Sequence, residues 1–80
     1  MVAGLVVVHQ APPTAEGHHF ITLETEDAMI NVIVRPNVYE RYRRVLREAP
    51  LLIIEGTVQH RNGLINVLAR RAAALPCGSR

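Results

Sequence analysis

The fold is decided by residues 17–35, GHHFITLETEDAMINVIVR, which predict one β-hairpin. Two runs rich in β-branched and aromatic residues are joined there by three polar residues, 25–27, and this arrangement is typical of a hairpin. Residues 17–24 form the first predicted strand of the hairpin and residues 28–35 form the second. The rest of the chain can be placed around this hairpin.

Alternation assigns the side chains of the hairpin to two faces, because successive residues of a strand point to opposite sides. The purely aliphatic face, which we expect to form the core, carries Ile21, Leu23, Ile30, Val32 and Val34. The opposite face carries Phe20, Thr22, Asn31 and Arg35. A ring, hydrogen-bonding groups and a cation on a rigid sheet suit flat, anionic ligands, of which single-stranded nucleic acid is the commonest.

Length and composition limit the class of protein. Eighty residues fit one domain with a single core. Cys77 is the only cysteine, so the chain cannot form an internal disulfide and nothing argues for secretion. The apolar runs are far shorter than the roughly 20 residues that cross a bilayer, and residues 5–8 lack the basic flank of a signal peptide. We expect a cytoplasmic protein with no membrane partner.

The kind of charge is more informative than its amount. The net charge is +2, and all nine basic residues are arginine. Arginine pairs with phosphate in bidentate fashion and stacks on bases, so the bias is compatible with nucleic-acid contact. The same bias is also explained by the base composition of a genome, and both explanations stay open.

The predicted elements follow one another as strand, loop, strand, turn, strand, helix, strand, tight turn and strand. Their bounds are residues 2–10, 11–17, 17–24, 25–27, 28–35, 36–49, 51–60, 61–63 and 64–70. The helix is indicated by an apolar stripe at helical spacing, made of Val38, Tyr42, Val45, Leu46 and Ala49. Asn62-Gly63 between two β runs indicates the tight turn.

This order is the layout of an OB-fold, an all-β, five-stranded Greek-key barrel, here with one α-helix between strands 3 and 4. We expect the barrel to span residues 1–71 and residues 72–80 to form a tail or linker. Oligonucleotides cross strands 2 and 3 of this fold, flanked by the loops that join strands 1–2 and 4–5. Arg61, beside the second loop, is therefore a candidate phosphate contact, and we add His9 from strand 1 to the candidate binding residues.

The sequence also resembles a known family over nearly the whole chain up to Arg71. The similar segments are residues 4–10, 13–17, 20–24, 31–34, 36, 39–41 and 55–59. They resemble the OB domain near the C-terminus of bacterial DNA polymerase III alpha subunits, most closely the error-prone branch of that family. The resemblance implies a piece of a much longer polymerase, with the catalytic palm elsewhere, that binds the single-stranded DNA template near the active site.

The chain departs from the pattern of that family at three positions. Glu16 stands where the family commonly has a basic residue, and this implies a weaker phosphate contact from the first loop. Arg35 stands where the family usually has an aromatic residue, although arginine can still stack on a base. Ala28 replaces the glycine that usually ends the turn between strands 2 and 3.

Two alternative functions stay open. Phe20 with Asn31 also resembles the pair in anticodon-binding OB domains of class II aminoacyl-tRNA synthetases, where the ring stacks on a base. In the other alternative, the barrel is a structural or protein-docking module with little affinity for DNA. Four acidic residues near the proposed groove support this second alternative, because they would repel phosphate: Glu16, Glu24, Glu26 and Asp27.

Catalytic and metal-binding patterns are not visible. The chain shows no arrangement of a nucleophile with a base and no glycine-rich phosphate loop. His9, His18, His19 and His60 lack the spacing of a zinc site. For this segment alone we therefore expect no catalysis, metal, cofactor or small-molecule substrate. The expected partners are single-stranded DNA and the remaining domains of the parent polymerase.

Overall fold

The backbone closes into a five-stranded β-barrel with one α-helix, in a computed structural model that describes residues 1–75. The strands are β1 (Val2–Gln10), β2 (His19–Glu24), β3 (Met29–Val34), β4 (Leu51–Arg61) and β5 (Leu64–Ala74). Helix α1 (Pro36–Glu48) lies between β3 and β4, and a short 3-10 turn (Pro13–Ala15) lies in the first loop. The neighbour order is β1-β2-β3-β5-β4, with β1 also paired to β4 and β3 paired in parallel to β5. The predicted OB-fold is confirmed.

Aliphatic side chains on the inward faces of the strands fill the barrel. The five hairpin residues predicted to form the core are at most 4% exposed: Ile21, Leu23, Ile30, Val32 and Val34. The other buried residues are Leu46, Leu52, Ile54, Val67, Ala69 and Ala72. No polar side chain within residues 1–75 is buried with them, so the barrel is held together by hydrophobic burial and by its backbone ladders.

Helix α1 covers part of this core and packs mainly against β5. It begins at Pro36, because the fixed φ of proline suits the first position of a helix, and it ends at Glu48 shortly before Pro50. The predicted apolar stripe is confirmed: Leu46 is buried, and Val38, Tyr42, Val45 and Ala49 pack against the core. No helix in the described part of the chain has the length and apolar character that a membrane-spanning segment needs.

The β4–β5 hairpin turns at Asn62 and Gly63, as predicted. Their φ angles of 53° and 79° are both positive, which is the conformation of a two-residue hairpin turn that favours Asn-Gly. Arg61 is still part of β4 and pairs with Leu64. The turn is therefore one residue shorter than the predicted turn over residues 61–63.

The last strand is longer than predicted. The prediction ends it at residue 70, but β5 continues to Ala74, because residues 72–74 pair with Leu52, Ile53 and Ile54 of β4. Ala72 is buried in the core, so the predicted start of the tail at residue 72 is wrong. Residues 76–80 of the predicted tail lie outside the described residues.

Candidate nucleic-acid interface

Three of the candidate binding residues lie together on the outward face of β2 and β3. Phe20 is 38% exposed, whereas the next residue, Ile21, is 1% exposed. The strand register pairs Thr22 with Asn31 and Phe20 with Ile33. Directly paired residues have Cβ atoms about 4.5–5.5 Å apart, so the ring, the hydroxyl and the amide form one surface. The orientation predicted from alternation is confirmed.

A row of hydrogen-bonding side chains continues from this pair across the next two strands. Parallel pairing places Asn66 of β5 beside Asn31, and antiparallel pairing places Gln59 of β4 beside Asn66. We call these four residues the polar row: Thr22, Asn31, Asn66 and Gln59. Neighbouring strands lie about 4.8 Å apart, and amide and hydroxyl groups both donate and accept hydrogen bonds. The polar row can therefore contact base edges without carrying a charge.

Sequence reasoning missed Asn66 and Gln59. Their position beside Asn31 depends on the parallel pairing of β3 with β5, which joins residues far apart in the chain. A local signal was nevertheless present. Asparagine is depleted in strands, and Asn66 is the third residue of β5, as Asn31 is the third residue of β3.

A second row, which is mostly apolar, runs beside the polar row. Phe20 pairs with Gln10 of β1 and with Ile33 of β3, Ile33 pairs with Leu68, and Leu68 pairs with Thr57. We call these five residues the apolar row. The side chains of Ile33 and Leu68 are only half-buried. Aromatic side chains at the surface stack with bases of any kind, so this row suits an unpaired nucleic-acid strand.

Arg35 lies in a groove at the end of the apolar row. The groove has a volume of about 350 Å³ and is lined by Arg35, Asn37, Val38, Thr57, Leu68, Ala69 and Arg70. Arg35 lies beyond the last residue of β3 and directly precedes α1. Its exposed side chain therefore lines this groove and is not part of the polar row. Sequence reasoning missed Arg70, the second arginine of the groove.

Arg61 extends the outward face toward the tip of the β4–β5 hairpin. It is exposed and lies two residues beyond Gln59, so alternation puts both side chains on the same side of β4. Its strand partner Leu64 is 53% exposed. The structure therefore brings Arg61 to the edge of the surface that holds the polar row.

His9 lies on the face of β1 opposite to Gln10, the strand partner of Phe20. The strand partner of His9 is the buried Ile21, and the Nε2 atom of His9 lies 2.9 Å from Nδ1 of His19, within hydrogen-bond distance. The ring of His19 stacks on Tyr39 of α1, with ring centroids 3.4 Å apart and an angle of 7° between the planes. The structure thus places His9 between β1, β2 and α1, away from Phe20. Its role in binding stays a prediction.

Burial controls the titration of this histidine pair. Desolvation lowers the pKa of His9, and the positive charge of Arg47 lowers that pKa further. Desolvation also lowers the pKa of His19, with a smaller contribution from His9. Both rings are therefore biased toward the neutral form. Within residues 1–75, no three histidine, cysteine or acidic side chains are grouped so that they could hold a metal ion.

Three acidic residues lie at the turn of the β2–β3 hairpin, whereas Arg35 and the exposed Glu16 both lie at its other end, where Gly17 approaches Pro36. Glu24, Glu26 and Asp27 are exposed at the turn, whereas Arg35 follows the far end of β3. Among the described residues, the one ion pair joins Arg71 to Glu55 at 3.9 Å, so Arg35 has no carboxylate partner there. A polyanion on this surface would be repelled at the turn and attracted at the groove.

Known proteins similar to this chain are error-prone DNA polymerases. The enzyme of that name from Anaeromyxobacter dehalogenans (strain 2CP-C) is 46% identical over 74 residues, which are 92% of this chain and 6% of the relative. The one from Mycobacterium tuberculosis (strain ATCC 25618 / H37Rv) is 44% identical over 75 residues, or 94% of this chain and 7% of the relative. The one from Mycolicibacterium paratuberculosis (strain ATCC BAA-968 / K-10) is 42% identical over an alignment of 82 residues, or 100% of this chain and 8% of the relative.

The chain thus spans less than a tenth of the length of these relatives, since the largest of the three shares is 8%. No protein-family model and no solved structure matches it. The matched segment covers nearly all of the barrel described above, and the fold agrees with the expected OB domain. The chain, which folds as an OB-barrel, is therefore homologous to one short segment of the error-prone DNA polymerases.

Proposed function

We propose that this domain binds single-stranded DNA and holds the template strand in an error-prone DNA polymerase. The observation that carries the proposal is the outward position of Phe20, which is 38% exposed and lies between the polar row and the end of the barrel. An OB-fold presents oligonucleotides on this same face of strands 2 and 3. The relatives named above are DNA polymerases, which favours DNA as the ligand.

Each part of the surface has a separate role in this proposal. Bases stack on Phe20 and lie over Ile33 and Leu68, and this contact does not depend on the identity of the base. The polar row supplies hydrogen bonds to base edges or sugars. Arg35 and Arg61 contact phosphates from the two ends of the surface. The segment contributes binding only, and the polymerase activity of the parent chain belongs to its other regions.

A second candidate function is protein docking within the polymerase. It is favoured by the exposed carboxylates of Glu24, Glu26 and Asp27, which lie beside the proposed DNA surface. Like charges repel a phosphate backbone, so these groups weaken DNA binding and would suit a basic protein surface. The two candidates differ in a property that can be measured on the chain itself.

The test is a titration of a labelled dT oligonucleotide of about 16 nucleotides, the upper site size of one OB-fold. Fluorescence anisotropy is recorded at about 50 mM and 200 mM salt, with circular dichroism as the control for folding. The proposal predicts affinity that falls with salt, with a logarithmic slope of about −0.7 per neutralised phosphate. A folded protein that does not bind at low salt supports docking instead. Tighter binding to an RNA strand of equal length supports the anticodon-binding alternative.

A further inference from the structure

We infer that the groove lined by Arg35 and Arg70 is a phosphate site, in which one backbone phosphate of the bound strand lies between the two guanidinium groups. The inference rests on the proposed function. It adds Arg70 to the binding residues and gives the phosphate backbone a defined position at the end of the apolar row.

The lining of the groove has the chemistry of an anion site. Besides the two arginines, it contains the amide of Asn37 and the hydroxyl of Thr57, and no acidic residue lines it. Arginine presents a planar fork of N–H donors that matches phosphate in bidentate fashion. The volume of about 350 Å³ leaves room for a phosphodiester with part of its sugar.

A β-bulge places Arg70 in this groove. Gly56 pairs with Ala69 and Glu55 pairs with Arg71, so Arg70 is an additional residue without a partner on β4. A bulge interrupts the alternation of a strand and re-aims a side chain. Gly56 permits the close approach of the two strands here, because a Cβ atom at this position would overlap the carbonyl oxygen of Leu68.

Neither arginine of the groove is neutralised by the protein. In the described part of the chain, the adjacent Arg71 forms an ion pair with Glu55, whereas Arg35 and Arg70 have no carboxylate within 4.0 Å. Two guanidinium groups that line one groove repel each other. An anion between them removes this repulsion and gains charge-assisted hydrogen bonds.

The groove is continuous with the surface proposed to bind bases. Leu68 and Thr57 belong to both the groove and the apolar row. A base over Ile33 and Leu68 therefore has its sugar and phosphate next to the two arginines. The carboxylates at the β2–β3 turn lie at the opposite end of the hairpin, which excludes phosphate there.

The first test compares Arg70→Gln with Arg71→Gln in the dT titration. Arg71 is the matched control, because it is the next residue, loses the same charge and lines a different groove. We expect Arg70→Gln to lower affinity about ten-fold, as for the loss of a charge-assisted hydrogen bond. It should also reduce the salt slope by about 0.7, since one phosphate contact is lost. Arg71→Gln should change neither. Equal losses in the two variants would overturn the inference.

The second test does not depend on DNA binding. Inorganic phosphate is titrated into the chain, and backbone amide shifts are followed by NMR. We expect saturable shifts at Asn37, Thr57 and Arg70 that disappear in the double variant R35Q/R70Q. If the wild type shows these shifts but does not bind dT, the proposed function is refuted and the phosphate site is not. Absence of saturable shifts in the wild type would refute the phosphate site.

Discussion

Phe20 shows how the strand register produces a binding surface. Ile21 and Leu23 point into the barrel and are 1% and 0% exposed. Because successive residues of a strand point to opposite sides, the ring of Phe20, next to Ile21, must face outward. A ring that is 38% exposed keeps apolar area in contact with water. Covering this area with a base is favourable, and the adjacent Ile33 gives the base an apolar floor.

We expect Phe20→Ala to weaken dT binding by about 1–3 kcal/mol, or about five- to 150-fold, because one base loses its stacking partner. Anisotropy titration measures the affinity, and circular dichroism checks the fold. Met29→Ala is the control, since Met29 is 51% exposed on the same face but lies outside both rows. Equal losses for the two variants would contradict stacking on Phe20.

The histidine pair makes stability depend on pH. The folded-state pKa of His9 and that of His19 lie below the ordinary value of 6.5, so near this pH the unfolded chain binds more protons than the folded one. The contribution of the pair is fully present above pH 6.5 and is lost as pH falls through the lowered folded-state pKa values. Urea unfolding should therefore give a lower free energy of unfolding at about pH 5 than at about pH 7.5.

The variant H9Q/H19Q tests the source of this dependence. It should flatten the change in the free energy of unfolding over that pH range, whereas His60→Gln, a control at an exposed site in β4, should preserve it. A dependence as steep in H9Q/H19Q as in the wild type would show that other groups cause it.

Alternation within one hairpin was sufficient to orient Phe20, Thr22 and Asn31. It was not sufficient for His9. The position of that ring depends on His19 of β2 and on Tyr39 of α1, which are brought together only when the barrel closes.

The β4–β5 hairpin is the element that completes the surface. It carries Asn66 and Gln59 of the polar row, and its bulge exposes Arg70 to the groove. The bulge depends on Gly56, because the strands approach too closely there for a Cβ atom. Local backbone geometry in this hairpin therefore determines both stability and the proposed phosphate contact.

We expect Gly56→Ala to lower the free energy of unfolding by about 1–3 kcal/mol, since the added methyl group meets the backbone of Leu68 and cannot be accommodated by a rotamer change. Urea unfolding measures the loss. Gln59→Ala, at an exposed position of the same strand, should change it by no more than about 0.5 kcal/mol. A neutral Gly56→Ala variant would show that the hairpin can shift without cost.

Element type was predictable where the local signal is strong. Asn62-Gly63 indicated the hairpin turn, and the period of the apolar residues indicated α1. The end of β5 was not predictable, because residues 70–74, Arg-Arg-Ala-Ala-Ala, lack β-branched side chains. Residues 71–74 adopt the strand conformation because they pair with residues 52–55 of β4, and β1 pairs with residues 51–54 on the other edge of β4.

The order of the elements along the whole chain was enough to predict the OB topology. The parallel β3–β5 contact closes the barrel and joins the hairpin surface to that of β5 and β4. Four strands thus share one outward face with acidic residues at the β2–β3 turn and two arginines in the groove. This separation of charge could not be predicted, because it requires the position of Arg70.

We expect Glu26→Gln to strengthen dT binding at about 50 mM salt by up to about five-fold, or about 1 kcal/mol, because it removes an exposed charge that repels phosphate. The gain should shrink at about 200 mM salt, where screening is stronger. Glu48→Gln makes the same change at the end of α1 and should not alter binding. A similar gain in both variants would indicate an effect of net charge alone.

Residue-resolved NMR of the labelled chain during titration with dT shows whether the outward face of the barrel binds single-stranded DNA. We expect saturable shifts that centre on Phe20, Asn31, Asn66 and Leu68 and leave the far side of α1 unchanged. Shifts confined to the helix arginines, or no saturable shifts at low salt, would contradict binding at this face.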